Sequence, residues 1–238
     1  MRDQYAGDVS DVLKFAFLRA LAGSDRTLGI AWYYVPGDDG RADGRHLEWR
    51  DEPAWQQLDA QLHAGLSVLP ERSIVALESA AIWPKGTLFH REPMPSRPQR
   101  SAWALRMRDA LDGADIVFLD PDKGLGRETT QHATVSEIQL LTRPKRAIVF
   151  IKFPGRSPHD ALIERLHEQV RTEVGAKAVI TLRTSVSVPR RDGSPYFVPR
   201  VRWFTVVNPD ATLIARARVF THALASVPRV RARLDDAT

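Results

Sequence analysis

Asp115-Ile116-Val117-Phe118-Leu119-Asp120-Pro121-Asp122-Lys123-Gly124 decides the fold. The apolar run from Ile116 to Leu119 predicts a strand buried on both faces, as parallel strands are. Asp120, Pro121 and Gly124 stop it abruptly. A charge placed directly after such a strand stands at the carboxyl edge of a parallel sheet, where open α/β folds bind their ligands. The plain alternative is a solvated turn that merely ends a strand. The functional reading is preferred because other strand ends converge with it.

Working outward, Arg146 to Phe153 is a second buried strand, stopped by Pro154-Gly155. Leu28 to Val35 is the first strand, closed by Pro36-Gly37. Ser73 to Leu77 reads as a short strand ending on Glu78. Helices are expected at Ser10–Leu21 (capped by Asp8 or Ser10), Pro53–Leu66, Gln99–Leu111, Thr134–Leu141, Ser157–Val174 and Ala211–Leu224. Helix and strand alternate, which means a mostly parallel sheet with helices on both faces. Ala178–Ser185 and Val201–Val207 follow each other without a helix, so one antiparallel strand is expected in a hairpin at the sheet edge. Residues 37–52 and 83–98 read as irregular insertions, the second holding four prolines and a small strand at Thr87–Phe89, and 228–238 as a frayed tail. The whole chain, 1–238, is expected to form a single domain.

The length of 238 residues suffices for one large core. No apolar run approaches the roughly 20 residues of a membrane span, so no membrane association is expected. The polar Met1-Arg2-Asp3-Gln4 opening gives no sign of a signal peptide. There is no cysteine, which removes disulfides and thiol chemistry and fits a cytoplasmic protein. The net charge is +5, and only six of the 34 basic residues are lysine. Arginine suits phosphate and base recognition, so the charge tilts toward nucleic acid, although a GC-rich genome gives the same usage.

Four strand ends bring chemistry to one rim. The first carries Pro36, Gly37 and Asp38, small and acidic residues that let a ligand approach backbone. The second carries Glu78, which could accept bonds from ribose hydroxyls or could be a surface acid. The third carries Asp120, Pro121, Asp122 and Lys123. The fourth carries Lys152, Phe153 and Arg156. Lys152 is expected either to snorkel to the rim or to pair Asp120 across neighbouring strands. Tyr5, Gly7 and Lys14 lie in a dense polar and aromatic segment ahead of the first helix, which could equally be plain capping. The histidines show no ligand spacing, and no structural metal is expected.

The Ala-Gly-x-x-x-Asp-Val-Leu-Lys of Ala6 to Lys14 resembles the opening of the bacterial large-subunit ribosomal RNA adenine-N6 methyltransferases of the J type. Asp120-Pro121 sits where that family has Asp-Pro-Pro-Tyr, and Glu78 where it has a glutamate after the second strand. Val206-Val207-Asn208-Pro209 is similar to its last strand. The resemblance implies a doubly wound, Rossmann-like methyltransferase sheet of seven strands. It further implies S-adenosylmethionine bound by Lys14, by the backbone of Tyr5 to Gly7 and Pro36 to Asp38, and by Glu78. Asp120 with the Pro121 carbonyl would receive an adenine amino group, of RNA ahead of DNA. The chain departs from the family at Asp122-Lys123, which replace the base-stacking tyrosine, and in its first glycine-rich motif. Phe153, Tyr196 or Trp83 could replace that tyrosine. Two other readings stand beside this one. A magnesium-dependent nuclease or phosphoesterase would use Asp120, Asp122 and Lys152. A non-catalytic module would bind nucleic acid or a protein partner.

Overall fold

The computed structural model describes residues 1–37, 40, 44, 46–155, 158–190, 194 and 196–237. In chain order the regular elements are α1 (Val9–Ala22), β1 (Leu28–Trp32), α2 (Pro53–Leu58), α3 (Ala60–Ser67), α4 (Ile74–Ser79), β2 (Leu88–His90), α5 (Arg100–Ala110) and β3 (Ile116–Asp120). There follow β4 (Gly124–Leu125), β5 (His132–Ala133), α6 (Val135–Leu141), β6 (Ala147–Lys152), α7 (His159–Gln169), β7 (Val179–Pro189), β8 (Phe197–Val207), α8 (Ala211–Ala225) and β9 (Val230–Ala237). A π-helical turn, Val170–Val174, continues α7.

The main sheet has seven strands in the order β2-β1-β3-β6-β8-β7-β9. β2, β1, β3 and β6 are mutually parallel, and β8 and β9 run against their neighbours. This is a doubly wound, mostly parallel, Rossmann-like α/β fold. Strand alternation sorts the core onto its two faces. Ile116 and Phe118 join one cluster with Phe15 of α1, Leu62 of α3 and Phe220 of α8. Val117 and Leu119 join the other, with Trp103 of α5, Ile138 of α6 and Ile163 of α7. Each such fully buried side chain contributes about 1.5–3 kcal/mol.

Several expectations are corrected. Ser73 to Leu77 is not a strand, because the Ser73 hydroxyl accepts from Ala76 N at 3.0 Å and caps helix α4. Four apolar residues in a row do not separate the two states by periodicity. The strand beside β1 is instead β2, one residue on from the small strand expected at Thr87–Phe89 within the 83–98 segment, and it pairs in parallel with Gly29 to Ala31. The second helix divides at Asp59, whose carboxylate caps α3 through Leu62 N. An antiparallel strand does stand at the sheet edge, as expected, but it is β9, and the hairpin β7–β8 joins the sheet inside it through β8. The expected frayed tail is β9, paired along β7 from Val230 to Ala237. The Ser157 cap and the turn at 191–193 and 195 lie outside the described residues.

A buried polar cluster locks the second face. Glu137 accepts from Tyr33 Oη at 2.8 Å, from Arg100 Nη2 at 3.1 Å and from its own cap residue, Thr134 N, at 2.9 Å. Arg100 also donates to the carbonyls of Thr129 and His132, which fixes the loop leading into β5. Glu137→Ala leaves Arg100 buried without its partner, so denaturant unfolding should show a loss of about 3–5 kcal/mol.

Two histidines couple the fold to pH. His90 is buried with neither ring nitrogen hydrogen-bonded, and His167 is buried against the Thr181 hydroxyl at 2.8 Å. Burial lowers both pKa values, which for His90 outweighs nearby Glu92. The unfolded chain takes these protons near pH 6.5 and the folded chain resists them, so stability falls as pH drops below about 6.5, by at most about 1.4 kcal/mol per pH unit per group. His90→Leu should flatten that dependence in urea titrations between pH 7.5 and 5.5.

Candidate active site at the carboxyl edge of the sheet

From β1 the sheet grows to β2 on one side and to β3 and β6 on the other, so the winding reverses between β1 and β3. Such a reversal opens a crevice beyond the strand ends. Trp32 and Asp120, in register as the last residues of β1 and β3, form its base.

α1 carries Lys14 to that base. Its ammonium lies 2.9 Å from Asp120 Oδ2 and 2.8 Å from Asp11 Oδ1, one helical turn earlier. All three side chains are buried. Burial opposes the charge on Lys14, but Asp11 and Asp120 outweigh it and hold its pKa up at about 12. Burial foremost, with Asp120 adding repulsion, raises the Asp11 carboxyl above its usual range against the pull of Lys14. The second oxygen of Asp11 accepts from Gly7 N at 2.8 Å, which ties the turn before α1 to the same cluster.

Asp8 is the cap of α1, as expected. It accepts from Ser10 N at 3.0 Å and from His46 N at 3.0 Å, joining the far side of the crevice to the helix start. Arg202 Nε donates to Ser10 Oγ at 2.9 Å, and its guanidinium lies 4.5 Å from the Phe153 ring centroid. The Met1 ammonium donates to Asp122 Oδ1 at 2.9 Å and to the Tyr33 carbonyl at 2.7 Å. Together these groups enclose a cavity of about 440 Å³, within the range of small-molecule sites. Its buried wall sets Asp8, Asp11 and Asp120 beside Lys14, His46 and the Met1 ammonium, while Arg2, Arg200 and Arg202 are half-buried and Lys123 is exposed.

Of the residues singled out from sequence, Tyr5, Lys14, Asp120, Pro121, Asp122, Lys123 and Phe153 line this cavity. Gly7 does not, and its N–H and carbonyl are taken by Asp11 and by Trp49 Nε1. The Pro36 and Gly37 carbonyls accept from Arg2 at the surface. Glu78 ends no strand. It lies in α4, accepts from Trp32 Nε1 at 2.8 Å and pairs Arg91 at 3.2 Å, outside the cavity wall. Lys152 does not pair Asp120, because Lys14 holds that carboxylate. Burial lowers its pKa, and it makes no hydrogen bond or ion pair among the described residues. It stands against Gly124, whose φ of +95° and close approach to the Lys152 Cβ (2.9 Å from an added Cβ) require glycine. Tyr196 is 69% exposed on the β8 arm, and Trp83 packs in the core against Phe15 and Phe89. Asp38 and Arg156 lie outside the described residues.

Asp8, Asp11, His46, Arg200 and Arg202 were not anticipated as site residues. Asp11 had a legible signal, being an acid three residues before a lysine on one face of a helix. Arg200 and Arg202 had one too, the period of two that puts alternate strand residues on one face. Among the described residues no three His, Asp or Glu side chains are grouped to hold a metal. No helix there is long and apolar enough to cross a membrane.

No family model and no curated protein matches this chain. Among solved structures, protein LPL1258 from Legionella pneumophila, of family DUF519, aligns over 98% of each chain at 12% identity with a TM-score of 0.46. A SAM-dependent methyltransferase from Agrobacterium tumefaciens aligns over 86% of this chain and 62% of its own at 15% identity, with a TM-score of 0.39. At these scores neither likeness bears on what the chain does.

Removing Lys14 tests the cluster. Lys14→Met leaves Asp11 and Asp120 facing each other without a cation, which should cost about 3–5 kcal/mol at pH 7.5. The folded pKa of Asp11 then rises further, so the missing stability is present at low pH and is lost as pH climbs. The deficit against wild type, read from urea midpoints, should therefore shrink at pH 5.

Proposed function

We propose that the protein is an S-adenosylmethionine-dependent methyltransferase acting on an amino group of a nucleic-acid base, adenine in RNA before DNA. The observation that carries this reading is the placement of Asp120-Pro121 at the end of β3, in the crevice where the winding of the sheet reverses and within 2.9 Å of Lys14.

The residues present fit the cofactor in part. Lys14 has three ammonium hydrogens, of which Asp11 and Asp120 engage two, so one is left for the carboxylate of the cofactor's amino-acid end. Tyr5 lines the same cavity. Glu78 lies outside the cavity wall, so the ribose contact is not assigned to it. The cofactor supplies an electrophilic methyl group, and the chain positions the nucleophile. A carboxylate pairing Lys14 still has lone pairs to accept from a base amino group, and the Pro121 carbonyl is a second acceptor. Two such acceptors turn the nitrogen lone pair toward the methyl donor, which is catalysis by orientation. Phe153 replaces the missing tyrosine as stacking surface, with Arg202 on one of its faces. The arginines at the mouth suit the phosphates of a base extruded from its stack.

The nuclease reading is weaker. It needs Asp120, Asp122 and Lys152 on one ion or phosphate. Asp120 and Asp122 each face an ammonium, and Lys152 lies outside the cavity.

A melt with S-adenosylmethionine at about 100 times its dissociation constant should gain about 2.7 kcal/mol of stability. Asp120→Asn should retain that gain while methyl transfer to RNA falls by two orders of magnitude or more. A midpoint unmoved by the cofactor ends the methyltransferase reading. Cofactor binding without transfer to any RNA or DNA turns it into the non-catalytic one.

A further inference from the structure

β7 and β8 are 11 residues each, against five for β1 and β3. β6 pairs β8 only from Trp203 to Val207. The remainder, Phe197 to Arg202, projects past the body of the sheet, backed by β7 and then by β9. On one face of this arm Val186, Val188 and Val198 pack into the core, and Arg200 and Arg202 line the crevice.

The other face is covered at Trp203, which is buried against His159 of α7, and is open along β9 and toward Phe197. Register places Val201 beside Ser185 and Ser185 beside Arg231, and Trp203 beside Arg183 and Arg183 beside Arg233. Arg231 is exposed and makes no ion pair or hydrogen bond among the described residues. Arg233 is 70% exposed and reaches Asp235 at 3.1 Å. Arg183 is held by Asp160 and Asp235 and is not available. Arg229, which pairs Glu52, lies 4.9 Å from the ring centroid of Phe197. Phe197 is 45% exposed and Tyr196 is 69% exposed.

Arg231 and Arg233 thus stand two residues apart on one strand face, about 6.8 Å along the strand, a repeat close to that of successive phosphates in an extended single strand. Charged residues on an edge strand also serve to prevent edge-to-edge pairing. An edge guard explains the arginines but not an exposed aromatic ring, Phe197, on the same face. Cations that track a backbone, with rings on which bases stack, are what single-stranded nucleic-acid surfaces combine.

We propose that this face of the β8–β7–β9 arm docks a single strand of RNA, with Arg231 and Arg233 on its phosphates and Phe197 stacking a base. The proposal rests on the nucleic-acid reading above, and extends it from the crevice to the opposite face of the same arm.

Fluorescence anisotropy with a labelled single-stranded uridine oligonucleotide, titrated at several salt concentrations, tests it. Wild type should bind with a steep salt dependence. Arg231→Ser/Arg233→Ser should make the log-affinity against log-salt slope shallower by about 1.4, at about 0.7 for each phosphate no longer neutralised. Phe197→Ala should weaken binding about tenfold at unchanged slope, the pattern of weakened stacking. Both variants replace exposed side chains and should keep the wild-type melt and its shift with S-adenosylmethionine. Arginine variants that bind RNA as wild type does, or that change only the oligomeric state, overturn the docking surface and leave the methyltransferase reading intact. Loss of RNA binding in a protein that shows no shift with the cofactor does the reverse. Tighter binding of a deoxyoligonucleotide of equal length overturns the assignment to RNA.

Discussion

The ion triad of Asp11, Lys14 and Asp120 is the constraint on which the crevice depends. It joins the first helix to the central strand across 106 residues of chain. A lysine so deeply buried would be costly alone, and two carboxylates so close would repel. Each is tolerable only because the others are present. The cluster therefore sets the depth of α1 against the sheet, and with it the position of the Gly7 turn, the Asp8 cap and the Trp49 indole that meets the Gly7 carbonyl. Truncating any member moves the wall of the cavity as well as its charge.

What was legible in the sequence was whatever burial on two faces writes locally. β3 and β6 are continuous apolar runs because helices cover both sides of them, and their abrupt ends marked the carboxyl edge directly. α1 was legible from its broad apolar stripe, with Asp8 before it and Gly23 after. The errors fell where an element's identity is decided by partners far away in sequence. Ile74 to Leu77 is as apolar as a strand, and a single serine hydroxyl makes it a helix. Leu88 to His90 was legible as a small strand between prolines, but not as the parallel neighbour of β1. β9 is rich in arginine and aspartate, since one of its faces meets solvent, and charge on that face masked the buried Val230 and the half-buried Ala232 and Leu234.

The candidate site shows the same division. Lys14 and Asp120 could be named separately, and the loop chemistry after β3 was visible. Their meeting was a question of topology, answered only by the parallel register of β1 and β3. Lys152 and Glu78 went the other way. Each occupies a suggestive place in the sequence, yet one turns to the opposite face of the sheet and the other is engaged by Trp32 and Arg91. A charged residue in an apolar run signals only that something compensates it or that it reaches the rim. For Lys14 the compensation is two carboxylates. For Lys152 it is partial exposure, at the cost of a lowered pKa.

The arginines divide along the same line. The internal ones are consumed in structure: Arg146 by carbonyls at the foot of α5 and β3, Arg100 by Glu137, Arg19 by Asp59. Net positive charge as such therefore said little about partners. What distinguishes the β7–β8–β9 arm is that its cations lie on both faces of one projecting sheet, Arg200 and Arg202 beside the crevice and Arg231 and Arg233 on the other side, where the core leaves the Phe197 ring unburied. A strand of nucleic acid following the arm would pass from an aromatic tip to the cavity that holds Asp120, so the feature that reads as a long edge hairpin in the fold becomes a guide to the site in the proposed function.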